Sequence, residues 1–353
     1  MAMSESQPKI SVLVPIYNVE RYLKQCLASL SVQTFRDFEV VCINDGSTDG
    51  SLAIIEEFMA ADPRFRVINK HNSGYGASMN RGIAEAQGDY IAILESDDFF
   101  IPTALELLYD AACEHDVEVA KANYWFHWSK PAVRDVPIKV IDVEMADHVF
   151  DPQEEPAIYM AIPSIWSALY CRSFLQDNDI TFLETPGASF QDMGFNFKVW
   201  AFARRVYLIQ DEILHYRQDN EASSVNDQSK VFCVCTEFEE IERVQADMPN
   251  AAALAPIVFR MKYDSYLWNY QRLSKPLRKK FLNRMVEELA QGVAAGDYDP
   301  ALFGSWQRRN LDLLLTDPIR FMEIFPENPT KVARAWYYFK LGGPKAILDI
   351  VRR

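Results

Sequence analysis

Tyr90-Ile-Ala-Ile-Leu94-Glu95-Ser96-Asp97-Asp98 decides the reading of this chain. A short apolar run stops abruptly at a cluster of carboxylates. Adjacent carboxylates at the end of a buried strand repel one another and cost stability unless a cation compensates them. A hard divalent cation with oxygen ligands does so, and can also neutralise a diphosphate. The structural alternative is a helix N-cap, because Pro102 opens a helical pattern a few residues on. The cluster's place after a fourth strand tips the reading toward function.

Working back from that strand, the pattern is regular. Ile10-Ser-Val-Leu-Val14 is a first strand, ended by Pro15. Val19, Tyr22, Leu23, Cys26, Leu27 and Leu30 have helical spacing. Phe38 to Ile43 is a second strand, closed by Asn44-Asp45-Gly46. Ser47, Thr48 and Asp49 can cap a helix with Leu52, Ile55 and Met59 on its apolar face. Phe65 to Ile68 is a third strand, and Gly74 to Ala86 a third helix. A fourth helix carries Leu105, Leu108, Tyr109 and Ala112. Strand and helix alternating at this pace predict an α/β fold with a mostly parallel sheet and right-handed crossovers. Ligands of such sheets sit beyond the carboxyl ends of the strands. Those ends read Pro15-Ile16-Tyr17-Asn18, Asn44-Asp45-Gly46-Ser47, Asn69-Lys70-His71-Asn72 and Glu95-Ser96-Asp97-Asp98, all of them polar.

Farther along, strands are expected at Val117 to Ala122, Val206 to Gln210 and Ile213 to Tyr216, and a helix at Asp192 to Ala203. Helical segments follow near 230–245, 252–274, 276–295 and 307–315. No internal repeat or low-complexity tract is found. Three further constellations are noted: Ser164-Ile-Trp166 with Phe190-Gln191-Asp192, where Asp192 also reads as an N-cap; His215-Tyr216-Arg217 with Ser223-Ser224; and the pair Cys233-Val234-Cys235. The cysteine spacing does not suit a zinc knuckle. The five histidines do not cluster in the sequence, so no structural zinc site is expected.

Composition bounds the rest. The 353 residues are 49% hydrophobic, enough for a large core or two domains. Lys plus Arg is 36 against 50 Asp plus Glu, a net charge of −14, which disfavours general nucleic-acid binding. No apolar run approaches the roughly 20 residues that span a bilayer, and the N-terminus lacks a signal-peptide pattern. A cytoplasmic protein is expected. Residues 331–353 break the charge pattern: six Lys or Arg against Asp349 give +5, leaving −19 for residues 1–330. With Trp336-Tyr337-Tyr338-Phe339, this tail has the composition of an interfacial segment at the inner face of a membrane. The opposing reading is a C-terminal helix packed on the protein, favoured because Gly342-Gly343-Pro344 interrupts any long amphipathic helix.

Taken together, these motifs resemble the family 2 glycosyltransferases of the GT-A fold, found in bacterial cell-surface polysaccharide and glycolipid assembly. The carrying residues are Val12-Leu-Val-Pro15-Ile16-Tyr17-Asn18, Asn44-Asp45-Gly46-Ser47-Thr48-Asp49, Asn72-Ser73-Gly74 with Ala77, Asn80 and Gly82, and Gly88-Asp89-Tyr90 running into the acidic cluster. They cover about the first 125 residues in order. The resemblance implies a disordered-like N-terminus over 1–8 and a nucleotide-sugar-binding half over 9–125. An acceptor-binding half follows over 126–226, then a helical region over 227–353 that would cover the acceptor cleft or mediate a homo-oligomer. It implies that Pro15, Tyr17, Asn18, Asp45, Asn72, Asn80, Ser96, Asp97 and Arg217 hold a UDP-sugar, with Asp45 on the base and Arg217 at the phosphates. It assigns Mn²⁺ or Mg²⁺ to Asp97 and Asp98 without separating the two, acceptor contacts to Trp166 and Gln191, and the general base to Asp192. The reaction implied is a single inverting displacement onto a hydroxyl of a glycan or lipid-linked saccharide. Three departures from the family pattern stand out: Glu95 opens the acidic cluster, Gln191 precedes the base, and Ser167-Ala168 follow Trp166. They keep open a non-catalytic nucleotide-sugar-binding subunit; a sugar-phosphate nucleotidyltransferase lacks its glycine-rich basic loop here.

Overall fold

The structure, a computed structural model, describes residues 7–140, 143–221, 230–325 and 331–351. They fall into two compact units that part at 222/223. Ser223 and Ser224, and residues 1–6 of the expected N-terminal tail, lie outside the described residues.

The first unit is an α/β domain on one mixed sheet. Its strands are β1 (Ile10–Ile16), β2 (Phe38–Asp45), β3 (Phe65–Lys70), β4 (Tyr90–Ile93), β5 (Phe99–Phe100), β6 (Val119–Trp128), β7 (Arg134–Ile138), β8 (Val149–Phe150), β9 (Ala168–Cys171) and β10 (Val206–Arg217). The order is β3-β2-β1-β4-β9-β6-β10-β5, with β7 on β6 and β8 on β10. β3, β2, β1 and β4 are parallel. All seven residues of β1 and all eight of β2 are buried, which is why both read as mostly apolar runs rather than alternating ones, with the buried Ser11 and Glu39 bonded to each other at 2.6 Å. The crossovers are α1 (Glu20–Ser31), α2 (Ser51–Ala61) and α3 (Tyr75–Glu85), followed later by α4 (Ala104–His115), α5 (Arg172–Asp177) and α6 (Gln191–Phe202). The turns after β1, β2 and β4 therefore share one sheet edge.

Two expectations change in detail. The predicted strands at 206–210 and 213–216 are a single strand, β10, whose register against β6 shifts between Leu208 and Glu212 and again between Glu212 and His215. The polar pair Asp211-Glu212 marks this irregularity and not an end. β6 crosses the expected division at 125/126, so the two halves of the domain share their sheet.

The second unit is helical: α7 (Cys233–Asp247), α8 (Ala251–Arg272), α9 (Lys275–Ala295), α10 (Ser305–Thr316), α11 (Pro318–Ile324) and α12 (Lys331–Val351). Phe238, Tyr263, Tyr266, Tyr270, Phe281 and Met285 form its core. Lys262 is buried within it and paired with Glu288 at 2.7 Å and Glu242 at 2.8 Å. α12 is kinked at Gly343, where φ is 67°. Its aromatic run divides: Tyr337 is buried against Phe325, while Trp336 and Phe339 are exposed and stacked at 5.7 Å. Among the described residues no helix is long and apolar enough to cross a membrane.

Candidate active site

The site is built from the turns at that sheet edge. Asn18, with φ of 50°, accepts from the Thr48 N–H at 2.8 Å through its side chain, while its own N–H donates to Ser47 Oγ at 3.1 Å. Asp49 accepts from the N–H groups of Glu20 and Ser51, which begin α1 and α2. Short polar side chains thus replace missing helical partners at two helix starts. Tyr17 stays exposed beside these turns, and Pro15 is buried within β1 opposite Ile43. Asn72 is exposed, and its N–H approaches the turn at Gly46 so closely that a Cβ there would lie 2.9 Å away.

Asp45 is 5% exposed. It accepts from the Ser73 N–H at 2.9 Å and the Gly74 N–H at 3.0 Å, and pairs with Lys70. A carboxylate has about four lone-pair sites, so three are filled and one remains for a ligand N–H.

Gly74 and Gly76 let the 183–187 segment lie directly on the start of α3. A Cβ on Gly76 would sit 1.9 Å from the Leu183 carbonyl, and Gly74 has φ of +93° beside Thr185 and Gly187. The Tyr75 N–H donates to the Gly187 carbonyl at 3.0 Å. Asn80 also belongs to this contact. Its amide donates to the Phe182 carbonyl at 2.9 Å and to Glu184 at 3.0 Å, and accepts from the Phe182 N–H at 2.8 Å. Both amide protons are committed, and Asn80 braces the segment that leads to α6.

That segment delivers Asp192. Phe190, with φ of 64°, is the N-cap of α6, and Asp192 is the second helical residue rather than the cap. Its carboxylate accepts from the Met193 N–H at 3.1 Å. Gln191 is buried. Its side chain donates to Thr185 at 2.8 Å and to the Gly187 carbonyl at 3.2 Å, and accepts from the Ser189 N–H. Gln191 shapes the loop from within.

The acidic cluster and Asp192 come together around Tyr75 and Tyr216. Tyr75 donates its hydroxyl to Glu95 at 2.6 Å. Burial pushes Glu95 up to about 8, with the Asp97 and Asp192 charges adding to it. Burial raises Asp192 to about 6. Asp97 and Asp98 are raised too, chiefly by burial, Asp98 further by the Asp97 charge. Tyr216, whose ionisation is suppressed by burial, is affected by all four carboxylates. Trp166 stacks on Tyr216 at 4.8 Å, and its buried indole N–H has no partner. Ser96 is half-buried in the turn.

Asp97 and Asp98 separate in the structure. Asp97 is half-buried and accepts from Asn220 at 2.7 Å. Asp98 is fully buried; Oδ1 accepts from the Arg217 N–H at 2.8 Å, and Oδ2 has no hydrogen-bond partner. An orphaned buried carboxylate oxygen in a set of raised carboxylates fits a cation. Oxygen donors of this kind suit Mg²⁺ or Mn²⁺. Tyr216 and Arg217 alternate on β10, so Arg217 lies on the other face. There it donates to the Asp97 carbonyl at 2.8 Å and to Gln25 at 2.7 Å, with Tyr22 against its guanidinium. Through these contacts Arg217 braces the acidic turn.

Sequence reading missed Tyr75 and Lys121, and noted Tyr216 without giving it a role. Lys121 is buried on β6 and donates to the Ser164 carbonyl at 2.6 Å, Ser164 Oγ at 2.8 Å and Ser167 Oγ at 3.2 Å, which fixes the turn carrying Trp166. A lysine inside Val119-Ala-Lys-Ala122 was the available signal.

Strand order, crossovers and the acidic turn after the fourth strand define the GT-A fold. Residues 11–163 match the family model Glycosyl transferase family 2. The chain is 34% identical over 217 residues to the putative glycosyltransferase EpsH of Bacillus subtilis, a match covering 60% of this chain and 61% of EpsH. The chain thus spans less than two thirds of that relative. Among solved structures, S. aureus TarS 1–349 in complex with UDP-GlcNAc superposes with a TM-score of 0.68 at 22% identity, over 90% of each chain. The mannosyltransferase PcManGT from Pyrobaculum calidifontis, in complex with GDP-Man and Mn²⁺, gives 0.52 at 16% identity, covering 90% of this chain and 86% of that one.

Proposed function

We propose that this chain is an inverting glycosyltransferase that moves a sugar from a UDP-sugar to a hydroxyl of a glycan or lipid-linked saccharide. The observation that carries the reading is the half-buried Asp192 on the first turn of α6, held beside the acidic turn that follows β4. Asp192 takes the proton of the acceptor hydroxyl as that oxygen bonds to the anomeric carbon. The bond from that carbon to UDP breaks on the opposite face. Tyr17, Asn18, Asn72, Ser96 and the remaining acceptor site of Asp45 surround the nucleotide, with Pro15 setting the β1 turn. Trp166, stacked on Tyr216, offers an apolar face to the acceptor, and Gln191 shapes the loop beside it. Bound Mn²⁺ or Mg²⁺, held by Asp97 with Asp98 behind it, would neutralise charge on the diphosphate. The UDP and Mn²⁺ complexes of the structural neighbours support the choice of donor and ion.

Calorimetric titration of UDP tests the donor site. Binding is expected with Mn²⁺, and about tenfold or greater weakening after chelation, in Asp97→Asn and in Asp45→Ala. No binding under any of these conditions would sink the UDP assignment. A second expectation concerns pH. The Asp192 carboxyl is raised to about 6, so the base form predominates only above that pH. kcat/KM should climb with pH through this region and level off near neutrality. A profile flat from pH 5 to 8 would mean that Asp192 is not the group being titrated.

A further inference from the structure

Two of the five histidines, 88 residues apart in the sequence, meet on the sheet. His127 of β6 and Asp135 of β7 are directly opposed in an antiparallel pair. His215 of β10 lies diagonally beside them, since β10 pairs Arg217 with His127. Asp135 Oδ1 is 2.8 Å from His127 Nδ1 and 3.0 Å from His215 Nδ1. Among the described residues this is the one group of three His, Cys, Asp or Glu side chains whose ligand atoms all lie within 4.8 Å of one another. Three adjacent strands thus present two imidazoles and one carboxylate to one point.

The packing fixes the aim of both rings. His215 lies between Phe99, stacked at 4.5 Å and 12°, and Trp125, stacked at 4.8 Å and 19°. The His127 ring stands at 83° to His215 and edge-on to Phe99. A ring nitrogen's lone pair lies in the ring plane, so rings held this way present their donors in set directions. Metal–ligand bonds of about 2.0–2.2 Å place tetrahedral donors about 3.3 Å apart. The two nitrogen–oxygen contacts are a few tenths of an ångström shorter than that and the two ring nitrogens lie within 4.8 Å of each other, so binding requires the side chains to rotate onto the ion. Asp135 is half-exposed, so the site opens to solvent and water can supply a fourth ligand.

We propose that His127, Asp135 and His215 bind a transition-metal ion of the zinc class, at a site separate from the acidic turn. Two nitrogens and one oxygen suit Zn²⁺, Co²⁺, Ni²⁺ or Cu²⁺ better than Mg²⁺ or Ca²⁺. Among the described residues β7 pairs only with β6, so a bound ion would pin this strand to both β6 and β10. The inference does not depend on glycosyl transfer.

The test uses the full chain, stripped of metal. Zn²⁺ is expected to bind at one saturating equivalent and to raise Tm. Both effects should disappear in His127→Gln and Asp135→Asn and persist in Asp97→Asn. Pulsed EPR of the wild type with one equivalent of Cu²⁺ should show two coordinated imidazoles. Zinc binding that these variants leave unchanged, zinc binding lost in Asp97→Asn instead, no zinc binding, or a copper spectrum with fewer than two imidazoles would each overturn the site. The copper spectrum needs no variant, so it decides the matter even if a substituted chain does not fold.

Discussion

Asp192→Asn is expected to lower the transfer rate by about 10²–10⁴-fold, the usual contribution of a positioned general base, while UDP binding stays within about threefold of wild type. The substitution keeps shape and the contact with the Met193 N–H, because an Asn side-chain oxygen also accepts. What it removes is proton affinity. It also removes one negative charge from around Glu95, whose carboxyl the Asp192 charge helps to raise, so the folded protein should be no less stable. The loss should fall on kcat rather than KM, since the base acts on a proton in flight and not on a ground-state contact. Transfer assays with a UDP-sugar panel, read beside UDP calorimetry, separate the two effects. Near-normal transfer by Asp192→Asn would refute the base assignment. Intact UDP binding with no transfer by the wild type under any donor would move a non-catalytic binding subunit to the front.

Gly76→Ala is expected to disable the site through geometry alone. The added methyl would lie 1.9 Å from the Leu183 carbonyl oxygen, and both partners are backbone. No side chain can swing aside, so either α3 or the 183–187 segment must move. Overpacking of this kind costs about 1–3 kcal/mol or more, which corresponds to a Tm drop of roughly 5–10 °C for a domain of this size. The more telling effect is on transfer. The displaced segment is bonded to Gln191 and leads toward Asp192, so a misplacement of about 1 Å can cost about 10²-fold in rate. Ala77→Gly, one position on, supplies a control for helix propensity, with an expected cost of about 1 kcal/mol. A Gly76→Ala protein with wild-type Tm and transfer would show that this crossing is looser than the distances state.

The fold was legible because its decisive signals are local. Val12-Leu-Val-Pro15, Asn44-Asp45-Gly46 and Leu94-Glu95 each mark a strand end within a few residues, and helical spacing fills the gaps between them. The convergence of Asp192 with Glu95 and Asp97 came only with the family resemblance, since nothing in the residues between 98 and 192 measures that approach. The structural contacts of Arg217 and Asn80 were hidden from the sequence for a common reason. Each has the right chemistry for a ligand, yet a backbone partner claims it first: the Asp97 carbonyl for Arg217, the Phe182 peptide for Asn80. Such claims depend on which face of a strand or helix a residue occupies. In β10 that phase is hidden by the slip in register around Glu212. The pairing of His127 with His215 was invisible for the same reason, because it requires knowing that β6 and β10 are neighbours.

The slip in β10 carries a consequence for rebuilding this protein. Side chains alternate along a strand, so everything after Glu212 is assigned to its face by the parity of the count between 206 and 215. Tyr216 and Arg217 serve opposite sides of the sheet, one toward Trp166 and one toward Gln25. Deleting one residue in that stretch would exchange them, putting a guanidinium against the aromatic stack and a phenol behind the acidic turn. Deleting two would shorten the strand yet return each to its own side. Grafts and circular permutants should therefore be cut here in even steps, and a paired deletion is expected to outlast either single one.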